Sequence, residues 1–289
     1  MSIKKIGIIY SDLHPLIIKA AEYIKKAGIS AEMIHWQSIT YNGTQSNIDN
    51  FSVIYLDRMG ELTRSYATQI RALQLGCNVP VVNHPESYWS ARDKGLAAFS
   101  LRAAGILTPP TSLYFDLEGL MNSLDNKQSY VAKSTLGCCA EDILVFQGND
   151  VPYGGIKQIL QRDGMVCLQE YIANPDRFIW RIDIVNGNVV VCNQRFSYVE
   201  GRFPICNGTQ GGKIIFWDPS DLPDAVRSVA ISAMKALNLK VGGVDIIPDE
   251  QGQLYVLEVN PEPDITLDRY EFPRAIAHYL VSLAEGAPL

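Results

Sequence analysis

Two features that mark common classes of protein are scarce in this chain of 289 residues. No hydrophobic run approaches the ~20 residues of a membrane-spanning helix, and the apolar run 6–10 is too short for a secretion signal. Basic residues number 25 against 31 acidic ones, and the net charge of −6 disfavours nucleic acid and anionic membranes as partners. We therefore expect a cytoplasmic protein whose partners are neither membrane nor nucleic acid; its oligomeric state stays open.

Cysteine and glycine motifs are also sparse where they would be informative. Cys138 and Cys139 are adjacent, and the other four cysteines are scattered through apolar runs. This is not the spacing of a zinc site, and it favours buried free thiols in a reducing compartment. No glycine-rich fingerprint follows the first apolar run, which argues against a dinucleotide site there.

The first part of the chain alternates short apolar runs with helical patterns. Strands are predicted at 5–10, 29–35, 51–56 and 80–83, and helices at 15–27 and 66–75. The alternation predicts an open parallel α/β sheet as a first domain, residues 1–86. Asp12, Arg58 and Asn83 follow its strands, where ligands of such sheets bind. Arg58 is a candidate to bind a substrate carboxylate, and capping a neighbouring helix is the alternative.

The remaining chain reads as antiparallel hairpins covered by helices. A helix opening at Ala91-Arg92-Asp93-Lys94 and ending at Gly105 is predicted to bury Leu96, Phe99, Leu101 and Ala104. Lys94 lies in its first turn, where the helix dipole disfavours a cation unless an anion is bound; a surface lysine is the plainer interpretation. The strand 130–133 ends on Lys133 and enters a loop of small residues that could approach phosphates. An amphipathic helix at 222–237 is predicted to cover the sheet.

The stretch 241–265 carries the clearest chemical signal. Two apolar runs flank the turn residues 248–253 and predict a β-hairpin. If Pro248 and Gln253 close it, Asp245 lies opposite Val256, and Glu258 and Asn260 share the face of Val256. Two carboxylates and an amide oxygen are suitable ligands for Mg²⁺ that also binds nucleotide phosphates. A structural ion pair or an exposed hairpin end is the alternative interpretation.

The motifs, taken in order, resemble the ATP-grasp superfamily and within it the RimK-type carboxylate–amine ligases. The resemblance covers nearly the whole chain, and no single motif in it is specific. The ordered set is Asp57-Arg58-Met59-Gly60, Ala91-Arg92-Asp93-Lys94, Lys133, Gln169-Glu170-Tyr171-Ile172, Arg181, Arg195, Asn207 with Gly211-Gly212, Gly243-Val244-Asp245 and Glu258-Val259-Asn260.

The resemblance implies a fold, a reaction and a role for each matching residue. The expected fold is α/β and α+β, with the parallel domain followed by two ATP-grasp subdomains, residues 87–168 and 169–289, whose antiparallel sheets clamp ATP. The implied reaction is attack of a small-molecule or peptide carboxylate on ATP, followed by displacement of phosphate from the acylphosphate by an amine, with release of ADP. Mg²⁺, or alternatively Mn²⁺, would be held by Asp245, Glu258 and Asn260. The other implied roles are ATP binding by Lys94, Lys133, Gln169, Glu170, Tyr171 and Ile172, and catalysis by Arg181, Arg195 and Asn207.

Three departures from the family pattern leave alternatives open. Ala140 and Asp142 stand where the phosphate loop usually has glycine, and Ile179 aligns with the ribose-binding acid, for which Asp176 is the substitute candidate. The loop after Asn260 contains Glu262 and Asp264, with Asp264 a candidate substrate contact. An acidic loop would repel glutamate, so it predicts that the amine substrate is basic or neutral. The alternatives to a small-molecule ligase are a nucleotide-binding protein without turnover and a ligase that modifies a ribosomal peptide.

Overall fold

The computed structural model of the chain describes residues 4–41, 46–57, 72–73, 76, 79–136, 143–197, 212–262 and 271–289. Within these residues the strands form one parallel sheet and two antiparallel sheets. The predicted helix at 66–75 lies largely outside the described residues. The predicted mixed fold of parallel and antiparallel sheets is confirmed.

The first sheet is built from four short strands. They are β1 (Lys5–Tyr10), β2 (Ser30–His35), β3 (Val53–Leu56) and β4 (Val81–Val82), in the order β2-β1-β3-β4 and all parallel. Helix α1 (Pro15–Lys26) follows β1 and begins where His14 Nδ1 accepts a hydrogen bond from the Leu16 N–H. The predicted open parallel sheet is therefore confirmed.

Two helices lead from this sheet to the next one. Helix α2 (Pro85–Arg92) ends at Asp93, whose carboxylate accepts the Leu96 N–H at 2.9 Å and so caps helix α3 (Lys94–Ala103). Leu101 is buried as predicted, but Leu96 is 42% exposed and Ala104 is also exposed. The buried face consists instead of Gly95, Ala97, Ala98 and Leu101. A Cβ added at Gly95 would lie 2.9 Å from the Leu113 side chain, so the small residues permit close packing that larger ones would prevent.

The second sheet is antiparallel and has helices on one face. Its strands are β5 (Thr111–Tyr114), β6 (Ser129–Lys133), β7 (Ile143–Gln147) and β8 (Val166–Glu170), in the order β5-β8-β6-β7. Helices α4 (Leu117–Ser123) and α5 (Tyr153–Asp163) bury Leu120, Ile156 and Ile159 against it. The opposite face, which carries Lys133, is left for other contacts.

The third sheet is antiparallel and has five strands. They are β9 (Phe178–Val185), β10 (Asn188–Phe196), β11 (Ile214–Trp217), β12 (Val241–Pro248) and β13 (Leu254–Asn260), in the order β11-β10-β9-β12-β13. Helix α6 (Asp224–Ala236) packs Val226, Ala230 and Ala233 on the face that carries Ile182 and Val244. The predicted cover helix is confirmed.

The last helix returns to the first sheet. Helix α7 (Glu271–Ala284) packs against α1 in a buried cluster that contains Ile17, Ile24, Ile276 and Leu280. Val185, Val191 and Val241 from the third sheet belong to the same cluster. One core thus joins the first and third sheets, and the proposed division at residues 86 and 168 stays a prediction.

Asn83 has a structural role instead of the ligand-facing position that we expected. Its side chain is fully buried, and its Nδ2 donates to the Val241 carbonyl at 2.7 Å. Its Oδ1 accepts the N–H groups of Lys240 at 3.0 Å and Val241 at 2.9 Å. The expectation was wrong because the start of β12 passes the end of β4 and takes up the amide. Asn83 thereby fixes the third sheet to the first.

Replacing Asn83 by alanine should lower the free energy of unfolding by roughly 3 kcal/mol, because three buried backbone groups lose their partners. Asn122→Ala, at an exposed position in α4, is the control and should change stability by less than about 0.5 kcal/mol. Urea unfolding of both variants measures the difference. Equal stabilities would contradict the structural role of Asn83.

Candidate active site

A row of four polar side chains crosses the third sheet on the face opposite α6. Asn193 pairs with Arg181, Arg181 with Asp245, and Asp245 with Glu258, on the adjacent strands β10, β9, β12 and β13. Residues that face each other on neighbouring strands project from the same side of the sheet. The row therefore brings together an amide, a guanidinium and two carboxylates from four separate segments of the chain.

The hairpin that carries the two carboxylates has a different register from the predicted one. Pro248 pairs with Leu254, and a register shift next to Asp245 places Asp245 opposite Glu258 and Ile246 opposite Val256. Val256 is buried with Ile246 on the α6 face, so the predicted pairing of Asp245 with Val256 was wrong. A bulge adds one residue to one strand and turns the following side chains to the other face. The bulge is what brings Asp245, Glu258 and Asn260 together.

Hydrogen bonds connect the three candidate metal ligands. Asn260 Nδ2 donates to Asp245 Oδ2 at 3.1 Å and to Glu258 Oε1 at 3.0 Å. The amide NH₂ thus serves both carboxylates as a donor, and a cation between them would require the amide to turn its oxygen inward. Two carboxylates and an amide oxygen are suitable for Mg²⁺, which retains further positions for water or phosphate. Among the described residues no group of three His, Cys, Asp or Glu side chains forms a metal cluster, so this mixed set is the candidate.

A buried ion-pair network continues the row. Arg181 Nε donates to Asp183 Oδ1 at 2.8 Å, and Arg181 Nη1 lies 3.2 Å from Asp245 Oδ2. Arg181 and Asp183 are 3% and 4% exposed. A buried charge is costly unless it is paired, so this chain of contacts holds the guanidinium in one orientation. Arg181 therefore links Asp183 to the candidate metal ligand Asp245.

The two carboxylates of the row have different acidities. Burial raises the pKa of the Asp245 carboxyl to about 6, although Arg181 and Arg195 oppose the shift. Burial also acts to raise the pKa of Glu258, but the charges of Lys94 and Lys133, together with side-chain hydrogen bonds to Asn260 and Asp245, outweigh it and lower the pKa to about 2. Glu258 is consequently ionised at neutral pH, and the two lysines act on it from α3 and from the end of β6.

Lys94 and Lys133 reach the site from different elements. Lys133 ends β6 and is 7% exposed, and burial lowers the pKa of its ammonium. The Lys94 N–H donates to the Thr135 carbonyl at 2.8 Å, which joins the first turn of α3 to the segment after Lys133. Two cations thus approach the carboxylates from across the space between the sheets. This is a suitable arrangement for an anionic ligand with several charges.

The segment predicted to hold adenine follows β8. Gln169 is buried, and its Nε2 donates to Thr111 Oγ1 at 2.9 Å. The Tyr171 N–H donates to the Ser129 carbonyl at 2.9 Å, while Glu170 is exposed and Ile172 is half-buried. Sheet contacts thus position the segment from both sides. Its role in adenine binding stays a prediction.

Ile179 and Asp176 are the two residues that the sequence analysis related to ribose binding. Ile179 is buried on β9, cross-strand from Arg195. Asp176 is exposed in the turn before β9, where its N–H donates to Asn174 Oδ1 at 3.1 Å. An apolar residue therefore stands at the position that the family resemblance assigns to an acid. The role of Asp176 stays a prediction.

Several predicted site residues lie outside the described residues. They are Arg58, Asn207 and Asp264, together with most of the small-residue loop that follows Leu136.

Glu262 has partners that the sequence did not reveal. Its carboxylate accepts a hydrogen bond from the Tyr88 hydroxyl and lies 3.6 Å from Arg92 Nη1. Asn83 Nδ2 also lies 3.4 Å from the carbonyl of the preceding residue, Pro261. The charge of Glu262 is thus compensated by α2. It contributes less to an acidic acceptor loop than we expected.

Asp183 and Asn193 are site residues that the sequence analysis did not identify. Both interrupt apolar strands at positions that alternate with the core residues Ile182, Ile184 and Cys192. A polar residue on the same face as Arg181 and Arg195 was the signal available in the sequence.

Gly243 is needed because the Arg181 guanidinium lies directly over its Cα; a Cβ there would overlap the guanidinium atoms. Gly243→Ala should therefore displace Arg181 from Asp183 and Asp245 and lower Mg²⁺-dependent ATP turnover more than tenfold, roughly the loss of one charged hydrogen bond. Gly154→Ala is the control, because nothing lies within 4 Å of a Cβ added there. Turnover and thermal unfolding are measured for both; unchanged turnover in Gly243→Ala would contradict the role of Arg181.

Comparison with known proteins shows which family and which relatives the chain resembles. Residues 91–281 match the model of the RimK-like ATP-grasp domain. A probable alpha-L-glutamate ligase of Mannheimia succiniciproducens is 27% identical over 241 residues, covering 77% of this chain and 78% of that protein. A probable alpha-L-glutamate ligase of Pasteurella multocida is 29% identical over 191 residues, and the match spans 66% of this chain but only 59% of that relative. The predicted ligase class is confirmed by these relatives.

A solved structure shares the fold over nearly the full chain. It is a Chryseobacterium gregarium RiPP-associated ATP-grasp ligase in complex with ADP and with a leader and core peptide. The TM-score is 0.72 at 18% identity, and the match covers 99% of this chain and 98% of the other.

In the described part of our chain, no helix has the length and hydrophobicity to cross a membrane.

Proposed function

Since this chain belongs to the RimK-like ATP-grasp family, we propose that it joins a carboxylate to an amine through an acylphosphate, with ATP converted to ADP and phosphate. The observation that carries the proposal is the convergence of Asp245, Glu258 and Asn260 with Lys94 and Lys133. Phosphoryl transfer depends mainly on positioning and on neutralising charge, and this set provides both.

Each part of the site has a role in this reaction. Asp245, Glu258 and the Asn260 oxygen would hold Mg²⁺, which would neutralise phosphate charge. Lys94, at the start of α3, and Lys133, at the end of β6, would bind the phosphates. Arg195 and Arg181 face the group that is transferred, and Arg181 is oriented by Asp183. The Ile172 backbone, which makes no hydrogen bond among the described residues, is available to the adenine edge.

The amine is the less determined substrate. The two relatives are named as glutamate ligases, so glutamate is the first amine to test. Because Arg92 compensates Glu262, the described part of the loop no longer argues strongly against an acidic amine. Preference for glutamate would contradict our prediction of a basic or neutral amine.

A second candidate is a ligase that acts on a peptide carboxylate. The observation that favours it is the fold shared with a peptide-bound ATP-grasp ligase over 99% of this chain. The chemistry is the same, so the two candidates differ only in the acid. Acid pools should therefore contain both small metabolites and peptides with acidic side chains.

The test is release of ADP and phosphate from Mg-ATP with pooled acids, with hydroxylamine present to trap an acylphosphate. We expect a hydroxamate that forms together with ADP and identifies the acid. AMP and pyrophosphate would overturn the proposed reaction. Tight Mg-ATP binding with no ADP from any pool would favour the nucleotide-binding protein without turnover.

A further inference from the structure

Asn193 occupies the end of the polar row farthest from Glu258. It lies on β10 opposite Arg181, and its side chain is 0% exposed. Of the other members of the row, Arg181 and Asp245 form an ion pair, and Glu258 accepts a hydrogen bond from Asn260. Asn193 is the member whose contacts are incomplete.

The orientation of its amide follows from its neighbour. Arg195 Nε donates to Asn193 Oδ1 at 3.3 Å. A guanidinium can only donate, so the amide oxygen must face Arg195 and the NH₂ group must point away from it. In the described structure Asn193 Nδ2 is buried and has no hydrogen-bond partner. A buried donor without an acceptor is unfavourable, and native structures rarely retain one without a reason.

The surroundings select the kind of acceptor that would complete the contact. Asn193 lies between Arg181, its cross-strand partner, and Arg195, so an anionic oxygen is favoured over a neutral one. Asn193 and Asp245 are two strands apart, which is about 10 Å, and their side chains are equally long. Arg181 stands between the two residues in the row. A phosphoryl group bound over the row, beside a cation that Asp245 would help to hold, would be within reach of both Arg181 and the Asn193 amide.

We propose that Asn193 Nδ2 donates a hydrogen bond to an oxygen of the γ-phosphoryl group of ATP, on the side away from the metal ligands. This inference rests on the proposed function and adds to it a residue that separates ATP from ADP. Asn193 thereby binds the group that is transferred and leaves the rest of the nucleotide to other residues.

The experiment compares Mg-ADP and Mg-AMPPNP binding by isothermal titration calorimetry, without an acid or an amine. Asn193→Leu removes the donor at similar volume, and Asn193→Asp keeps the Arg195 contact but replaces the donor by a negative oxygen. We expect both variants to bind Mg-ADP like the wild type. The affinity for Mg-AMPPNP should fall about tenfold or more, and further in Asn193→Asp than in Asn193→Leu.

Gln194→Leu is the matched control. Gln194 is the next residue on β10, and its Oε1 accepts from Trp217 Nε1 at 3.2 Å. Its side chain projects to the other face, so both nucleotides should bind as in the wild type. Circular dichroism of the three variants establishes that the fold is retained.

The outcomes are distinct. Selective loss of Mg-AMPPNP affinity supports the inference. Unchanged affinities in both Asn193 variants, or equal losses for the two nucleotides, would overturn it while the proposed function stands. A wild type that binds neither nucleotide would overturn the proposed function and the inference with it.

Discussion

Glu258→Gln should abolish Mg²⁺-dependent ATP turnover, with a loss of more than about a hundredfold. Groups that only orient metal ligands are worth roughly ten- to hundredfold, and Glu258 is proposed to bind the cation itself. The substitution removes the charge that Lys94 and Lys133 act on while the Asn260 contact can still form. Steady-state release of ADP with saturating Mg-ATP is the measurement.

The matched control for this prediction is Glu250→Gln in the exposed turn of the same hairpin. It alters the net charge by the same amount and should leave turnover within about twofold, since exposed charges contribute little. Turnover in Glu258→Gln that stays within about tenfold of the wild type would contradict the assignment of the cation to Glu258.

Lys133→Met should lower ATP turnover by about a hundred- to a thousandfold, the effect of removing one preorganised donor to a developing charge. Its ammonium is buried at the end of β6, where burial lowers the pKa of the lysine. Methionine has a similar length and avoids the cost of burying a charge. We therefore expect the free energy of unfolding to be unchanged or higher, although turnover falls.

Lys127→Met serves as the comparison, because Lys127 is exposed shortly before the same strand. Neither turnover nor stability should change measurably there. Parallel losses of stability and turnover in Lys133→Met would show a structural role for Lys133 and contradict its role in phosphate binding.

The sequence identified the chemistry of the site better than its geometry. Asp245, Glu258 and Asn260 were recognisable as oxygen ligands on two strands, since their strands are otherwise apolar. The bulge that brings them together was not recognisable, because the extra residue, Leu257, is an ordinary leucine in an apolar run. A register that depends on one extra residue is decided by the packing of Val256 and Val259 against α6.

Long-range partners account for the other differences. Asn83 looked like a ligand residue at the end of a strand, but its partners Lys240 and Val241 lie more than 150 residues away. Glu262 looked like free acidic charge until α2 placed Tyr88 and Arg92 beside it. Nothing local to either residue signals these contacts.

The predicted face of α3 failed for a different reason. Hydrophobicity favoured Leu96 and Phe99 for the core, whereas close packing against Leu113 selected Gly95, and Ala97 is buried on the same face. Where two elements approach closely, small side chains are buried and large ones remain at the edge.

Transfer of ¹⁸O from the acid is the most direct measurement of the proposed reaction. The acid identified by hydroxamate trapping is labelled in its carboxylate, and the products of the complete reaction with Mg-ATP are analysed by mass spectrometry. An acylphosphate intermediate predicts that one ¹⁸O atom from each carboxylate appears in inorganic phosphate and none in the nucleotide. Label in AMP, or phosphate without label, would contradict the account.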